Sequence, residues 1–244
     1  MMEPLFTQQS FQIFSMKYLI YFSVFFISSI CKLSAQVMPQ GYLVDMNVPS
    51  VVIGSQTWMA KDLDVALFKD GTEMGLALTT ANWIWYVNHP SASNDAWVFP
   101  TAADAAGNFK KSNPDYGKLY NWYAVTNSLG ACPVNYHVPS KAEWETLITY
   151  LGGSAIAGGK LKEAGTLHWA GTNTGTNESK FTAVPGGYMG GGASLGYAER
   201  GYYWASDAYN ASDGYVYYLD PASNTITEML MGKVAGAAIR CIHN

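Results

Sequence analysis

The sequence predicts an α+β domain: two or three short helices set among antiparallel strands and tied by one disulfide. Three observations predict it. Short β-prone runs bounded by turn residues stand near the start of the chain and again toward its end. Between them, Ser140 to Leu151 carries the strongest helical signal. Two cysteines, Cys132 and Cys241, remain once an N-terminal leader is set aside.

That leader comes first. Lys17 is followed by an uncharged run from Tyr18 to Ile30, then by Lys32 and the small pair Ser34 and Ala35. This is the pattern of a secretory signal peptide, with cleavage expected near Ala35. Met16 directly precedes Lys17, so a start there would leave residues 1–15 as an upstream extension. As a helix the apolar run spans about 20 Å, against roughly 30 Å of hydrocarbon, so no stable membrane span is expected. Lipid attachment at Cys31 is the lesser alternative, because Ile30 stands where a small residue is needed.

Residues 36–49 read as an extended arm, and 50–244 as the domain. Val51 to Ile53 and Gln56 to Leu63 flank Gly54-Ser55 as two strands around a tight turn. Thr79 to Val87 is apolar and aromatic, and His89 to Pro114, rich in Pro, Ser, Asn, Asp and Ala, is the longest loop. Leu119, Trp122 and Tyr123 stand at helical spacing and predict a first helix over 116–125. In the second, Ser140 and Glu143 form a capping box, Trp144, Leu147, Ile148 and Leu151 line one face, and Gly152-Gly153 ends it. Ala155 to Ala164 is a weaker helix interrupted by Gly158-Gly159, followed by a glycine-dense stretch to Gly201. Strands return at 202–208, 215–219, 225–231 and 237–242, and the two ends of the domain are expected to meet in one sheet.

The chain has 244 residues, 13% charged and 14% aromatic, with a net charge of −4. Loss of Glu3, Lys17 and Lys32 with the leader makes the balance slightly more acidic. With two arginines, Arg200 and Arg240, and no basic cluster, no nucleic-acid partner is expected. Cys132 and Cys241 are an even pair in an oxidising compartment and are expected to bond. Closing a loop of that length contributes roughly 4 to 5 kcal/mol in the chain-entropy account. Four scattered histidines lack ligand spacing, so neither zinc nor any other cofactor is expected.

Several segments resemble one family. They are Ile53-Gly-x-Gln56-x-Trp58-Met59-Ala60, Tyr116-Gly117-x-Leu119-Tyr120-Asn121-Trp122-Tyr123-Ala124-Val125, and Cys132-Pro133-x-x-x-His137-Val138-Pro139-Ser140-x-x-Glu143-Trp144. Further on are Thr176-Asn177-Glu178-Ser179-x-Phe181-Thr182-Ala183-x-Pro185-Gly186-Gly187-Tyr188, Tyr203-Trp204-Ala205-Ser206 and Arg240-Cys241-Ile242. Together they resemble the Fibrobacter succinogenes major paralogous domain, found on exported bacterial proteins that largely lack a known activity. The Val-Pro-Ser-x-x-Glu-Trp segment is also distantly similar to formylglycine-generating enzymes, which implies a C-type-lectin-like fold. Secretion from a bacterium, or display on its outer surface, follows from the leader and the resemblance together.

No catalytic constellation stands out, so no enzyme is expected. Asp207, Asp213 and Asp220 lie near strand ends and turns, where acidic residues are ordinary. Calcium-lectin signatures are missing, and Ser93-Asn94-Asp95 is the nearest approach. Trp58, Trp122, Trp144 and Trp204 read as core. Trp97, in the long loop, and Tyr188, Tyr197 and Tyr202, around the glycine-dense stretch, are the candidate ligand contacts. Arg240 reads as a structural ion pair. The leading functional expectation is a non-catalytic recognition module for glycan or a cell-surface protein. The alternatives are an assembly subunit of a surface appendage or envelope complex, and an enzyme of unrecognised type.

Overall fold

A computed structural model describes residues 48–101, 105–110 and 114–244. The leader, Cys31, most of the arm and part of the long loop lie outside the described residues. Among those described are thirteen strands, four α-helices and one 3-10 turn. Antiparallel pairing dominates three sheets, and one bridge closes the chain: Cys132 bonds Cys241 across 109 positions.

The hairpin is present as β1 (Ser50–Ile53) and β2 (Gln56–Met59), with Ile53 opposite Gln56. As expected, the far end of the chain joins it: β13 (Ile242–His243) pairs with β2 through Ile242 and Trp58, and with β6 (Tyr136–His137) on its other side. The run expected as one strand over 237–242 is divided. Its start, β12 (Gly236–Ala237), sits in the six-stranded sheet and its end, β13, in the four-stranded one. Arg240 lies between them, fully buried, with Nε 2.8 Å from Asp62 Oδ1 and its NH1 also donating to the Met59 and Phe181 carbonyls. Satisfying a buried guanidinium took precedence over extending a ladder.

The first expected helix is corrected. Leu119–Asn121 is β5, held between β4 (Ala96–Val98) and β12, and the helix that follows, α2, is the single turn Trp122–Val125. The Asn121 side chain caps it by accepting from Ala124 N–H at 3.0 Å. An unexpected helix, α1, covers Thr80–Asn88 and is capped by the Thr79 hydroxyl. The capping box holds: α3 (Lys141–Tyr150) begins with Ser140 and Glu143 each bonded to the other's backbone. The carboxyl of Glu143 is held below the usual carboxylate range, because the Ser140 N–H, the Ser140 hydroxyl and His137 together outweigh the effect of burial.

Helix α4 (Ser154–Leu161) contains the two glycines that weaken it, and its packing explains them. A Cβ on Gly158 would lie 2.5 Å from the Thr225 carbonyl oxygen, and one on Gly159 2.5 Å from Asn224 Oδ1. The helix gives up propensity so that the turn at 224–225 can approach its backbone. That turn joins β10 (Asp213–Leu219) to β11 (Ile226–Gly232), which with β9 (Gly201–Ala208) form the three-stranded sheet. Trp58, Trp144, Phe181, Tyr203 and Tyr217 fill the main core, with Trp58 and Trp144 ring centroids 4.9 Å apart.

Candidate functional site

Of the four expected ligand contacts, the structure brings two together. Tyr188, on β7 (Tyr188–Gly190), meets Tyr202 on β9 with ring centroids 4.9 Å apart. Tyr202 in turn meets Tyr218, its directly opposed partner on β10, at 5.1 Å. The result is a row of three tyrosines running from the six-stranded sheet onto the three-stranded one. Parallel bridging of Gly187, just before β7, to Gly201, the first residue of β9, ties the starts of the two strands. Tyr202 is buried and its two neighbours are half-buried, so one edge of the row faces outward.

Charge closes the row at one end. The Tyr218 hydroxyl donates to Asp220 Oδ2 at 2.8 Å, and Arg200 Nε lies 3.7 Å from the same oxygen. Burial pushes the Tyr218 phenol up to about 12, and its bond to the carboxylate adds to this. The Tyr202 phenol is raised as well, chiefly by burial, with Arg200 opposing. Burial would raise Asp220, but bonds from Tyr218 and the Ala222 N–H, with the charge of Arg200, hold it below the ordinary range. At neutral pH the face therefore offers neutral phenols beside a guanidinium and a carboxylate, groups suited to stacking on a ring and bonding to hydroxyls.

The loop bearing Asp220 is fixed from below by Lys162, at the end of α4. Its side chain is fully buried, and its ammonium donates to Thr174 Oγ1 and to the carbonyls of Asp220, Pro221 and Ser223 at 2.7 to 2.9 Å. Burial pushes this amine down to about 8, against the pull of Asp220.

The other two expected contacts lie elsewhere. Tyr197 packs on Tyr116 at 5.0 Å, beside His168, and not on the row. Trp97 is corrected from loop to strand: it lies in β4, is 6% exposed, and sits in the apolar cluster that also contains Tyr202. Phe99 meets its edge at 5.2 Å and the Lys118 ammonium lies 4.7 Å from its ring centre. The most exposed tryptophan is Trp85 on α1, 48% exposed and stacked on His89 at 4.6 Å. Sequence reasoning passed over it, although a helical reading of Thr79 to Val87 puts Trp83 inward and Trp85 outward.

Two of the acidic candidates, Asp207 and Asp213, serve structure. Asp207 Oδ2 accepts from the Lys141 N–H at 2.6 Å, and Asp213 Oδ2 from Asn210 Nδ2 at 2.9 Å. Asn94 and Asp95 are likewise engaged, Asp95 Oδ1 with the Gly75 N–H and the Asn94 carbonyl with Asn121 Nδ2. Among the described residues no group of three or more His, Cys, Asp or Glu could hold a metal ion. Nor is any described helix long and apolar enough to cross a membrane.

Comparison with known proteins finds one family. Residues 51–243 match the Fibrobacter succinogenes major domain. No curated protein and no solved structure matches the chain.

Proposed function

We propose, since this chain belongs to the Fibrobacter succinogenes major domain family, that it is a secreted, non-catalytic recognition module of C-type-lectin-like fold. In this reading the leader is cleaved near Ala35, and the mature protein works outside a bacterium or on its surface. The Tyr188, Tyr202 and Tyr218 row binds the ligand, a glycan or a surface protein. One observation carries the reading: three tyrosines on neighbouring strands are in ring contact, and the row they make ends in an arginine and a carboxylate. Aromatic rings order few torsions on binding, so a ready-made row of them gains contact area at low entropic cost. Support for a non-catalytic role comes from Asp207 and Asp213, whose carboxylates already accept from the Lys141 N–H and the Asn210 amide.

The test is binding of the purified protein to a broad glycan panel, with and without a calcium chelator. Tyr188→Ala and Arg200→Ala perturb the row, and Trp97→Ala perturbs the cluster behind it. Selective binding lost in Tyr188→Ala and Arg200→Ala supports the reading. Binding untouched by both variants would move the site elsewhere, and an empty panel would leave a surface protein as the ligand class. The assembly-subunit reading has one observation of its own in its favour, the open edge of β11.

A further inference from the structure

The sheet edges of this protein differ in how they are protected. Most are very short: β1 has four residues, β6 two, β3 (Gly75–Leu76) two and β8 (Ala193–Leu195) three. Strand β9 is long, but its outer side is covered, because Trp204 N–H donates to the Ala238 carbonyl, Ala238 N–H to Tyr202, and Ser206 N–H to Pro139. Strand β11 has seven residues and pairs with β10 alone. Among the described residues, no backbone bond from outside the sheet reaches 226–231.

Long open edges invite pairing with another chain, and proteins usually blunt them with lysine, proline or a bulge. The β11 sequence, Ile-Thr-Glu-Met-Leu-Met-Gly, has none of these. Its register with β10 is unbroken from Gly232 to Ile226. Met229 and Leu230 are 37% and 42% exposed. The single charge, Glu228, is already held by Lys141 Nζ at 2.8 Å, so it does not guard the edge.

We infer that the β11 edge is an interface with a second copy of this chain, the two β11 strands pairing antiparallel about a two-fold axis at Met229. Most soluble oligomers are two-fold pairs of one chain, which favours that occupant, and the placement of Glu228 and the strand ends select the register. Centred on Met229, all seven residues pair: Glu228 faces Leu230, Thr227 faces Met231, and Ile226 faces Gly232 of the second copy. Centring on Glu228 would set carboxylate against carboxylate, and centring on Leu230 would run Ile226 past the strand end. The two three-stranded sheets then become one continuous six-stranded sheet. The inference rests on the edge and not on the tyrosine row, so either can fail without the other.

Sedimentation equilibrium of the purified protein over a concentration series tests it. A concentration-dependent dimer is expected, with a dissociation constant on the order of tens of micromolar, because one strand pair buries well under the roughly 1,600 Å² of a standard interface. Met229→Lys alone and Met229→Glu alone each place like charges on the axis and should weaken dimerisation at least about tenfold. An equimolar mixture of the two variants should associate again as a heterodimer. A wild-type protein that stays monomeric at its solubility limit overturns the inference. So does a dimer that both variants leave unchanged, or a mixture that does no better than its components.

Discussion

Arg240 and Lys162 are both fully buried cations, and the regions they organise are built differently. Arg240 faces a carboxylate: Asp62 Oδ1 accepts from two of its nitrogens, and three backbone carbonyls take the rest. It joins the segment after β2 to the last strands, beside the disulfide. Lys162 donates its hydrogen bonds to neutral oxygens, with the Asp220 charge acting from farther off, and what it joins is the α4 end to the 220–223 turn beneath the tyrosine row. Where the cation links two distant chain segments in a dry core, a carboxylate balances its charge. A charge caged by dipoles shapes one loop and leaves the ligand face its own arginine and aspartate.

The largest expected effect breaks the first region. Arg240→Met leaves the Asp62 carboxylate buried without its counter-charge, and Asp62 Oδ2 already has no partner. Loss of about 3 to 5 kcal/mol is expected in urea unfolding at neutral pH. An Asp62→Asn, Arg240→Met double variant should recover part of that loss. Equal losses in single and double variants would mean that packing, not charge, dominates.

Removing the bridge is next. Cys132→Ser with Cys241→Ser should cost about 2 to 5 kcal/mol, read as a lower urea midpoint with an altered slope, since the unlinked unfolded chain is more expanded.

The ion pair also predicts a pH dependence. Burial pushes Asp62 up to about 6, with Arg240 opposing. The folded chain thus holds this proton more tightly than the unfolded chain, whose value is near 3.9. Its contribution is fully present below about pH 4 and is lost as pH rises through 6, by an amount on the order of 3 kcal/mol. The stability of wild type relative to Asp62→Asn, measured from pH 4 to 7, should fall across that window. A flat difference would mean that the pair stays ionised throughout.

Lys162→Met sharpens the comparison from the other side. Three carbonyls lose a shared donor, at about 1 to 3 kcal/mol. Amide exchange should quicken at residues 220–225 while Ile242 and Trp58 stay protected. Uniform loss of protection would make Lys162 a core clamp like Arg240.

How much of this was legible in the sequence follows the range of the forces involved. The capping box at Ser140 and Glu143, the hairpin at Gly54-Ser55 and the cysteine pair are local patterns or simple arithmetic, and all are present. Leu119 to Asn121 misled because Leu119, Trp122 and Tyr123 do recur at helical spacing. Pairing with β4 and β12, distant in sequence, decided the strand. Trp97 carries no local strand signal for the same reason, since its strand neighbours β3 and β5 lie outside its own segment. Arg240 read correctly as structural, but its partner 178 residues away carried no local signal. Tyr188 and Tyr202 were singled out by the glycines around them. Tyr218, which completes the row, followed only from the β9 and β10 register.

Gly158 and Gly159 give the finest comparison, because adjacent residues on one helix should respond differently to the same added methyl group. Alanine in place of glycine gains up to about 1 kcal/mol of helix propensity at either position. At Gly158 the new Cβ meets the Thr225 carbonyl oxygen and carbon at 2.5 and 2.6 Å, which are backbone atoms anchored in the turn that Lys162 also holds. At Gly159 it meets the Asn224 side chain, whose amide can rotate away. Gly158→Ala is therefore expected to destabilise by about 1 to 3 kcal/mol despite the propensity gain, the usual cost of overpacking against backbone. Gly159→Ala should fall within about 0.5 kcal/mol of wild type, its gain offset by the displaced Asn224. If the two variants unfold at the same urea concentration, the turn is softer than its bonds to Lys162 imply, and the rigid platform argued for the tyrosine row loses its support.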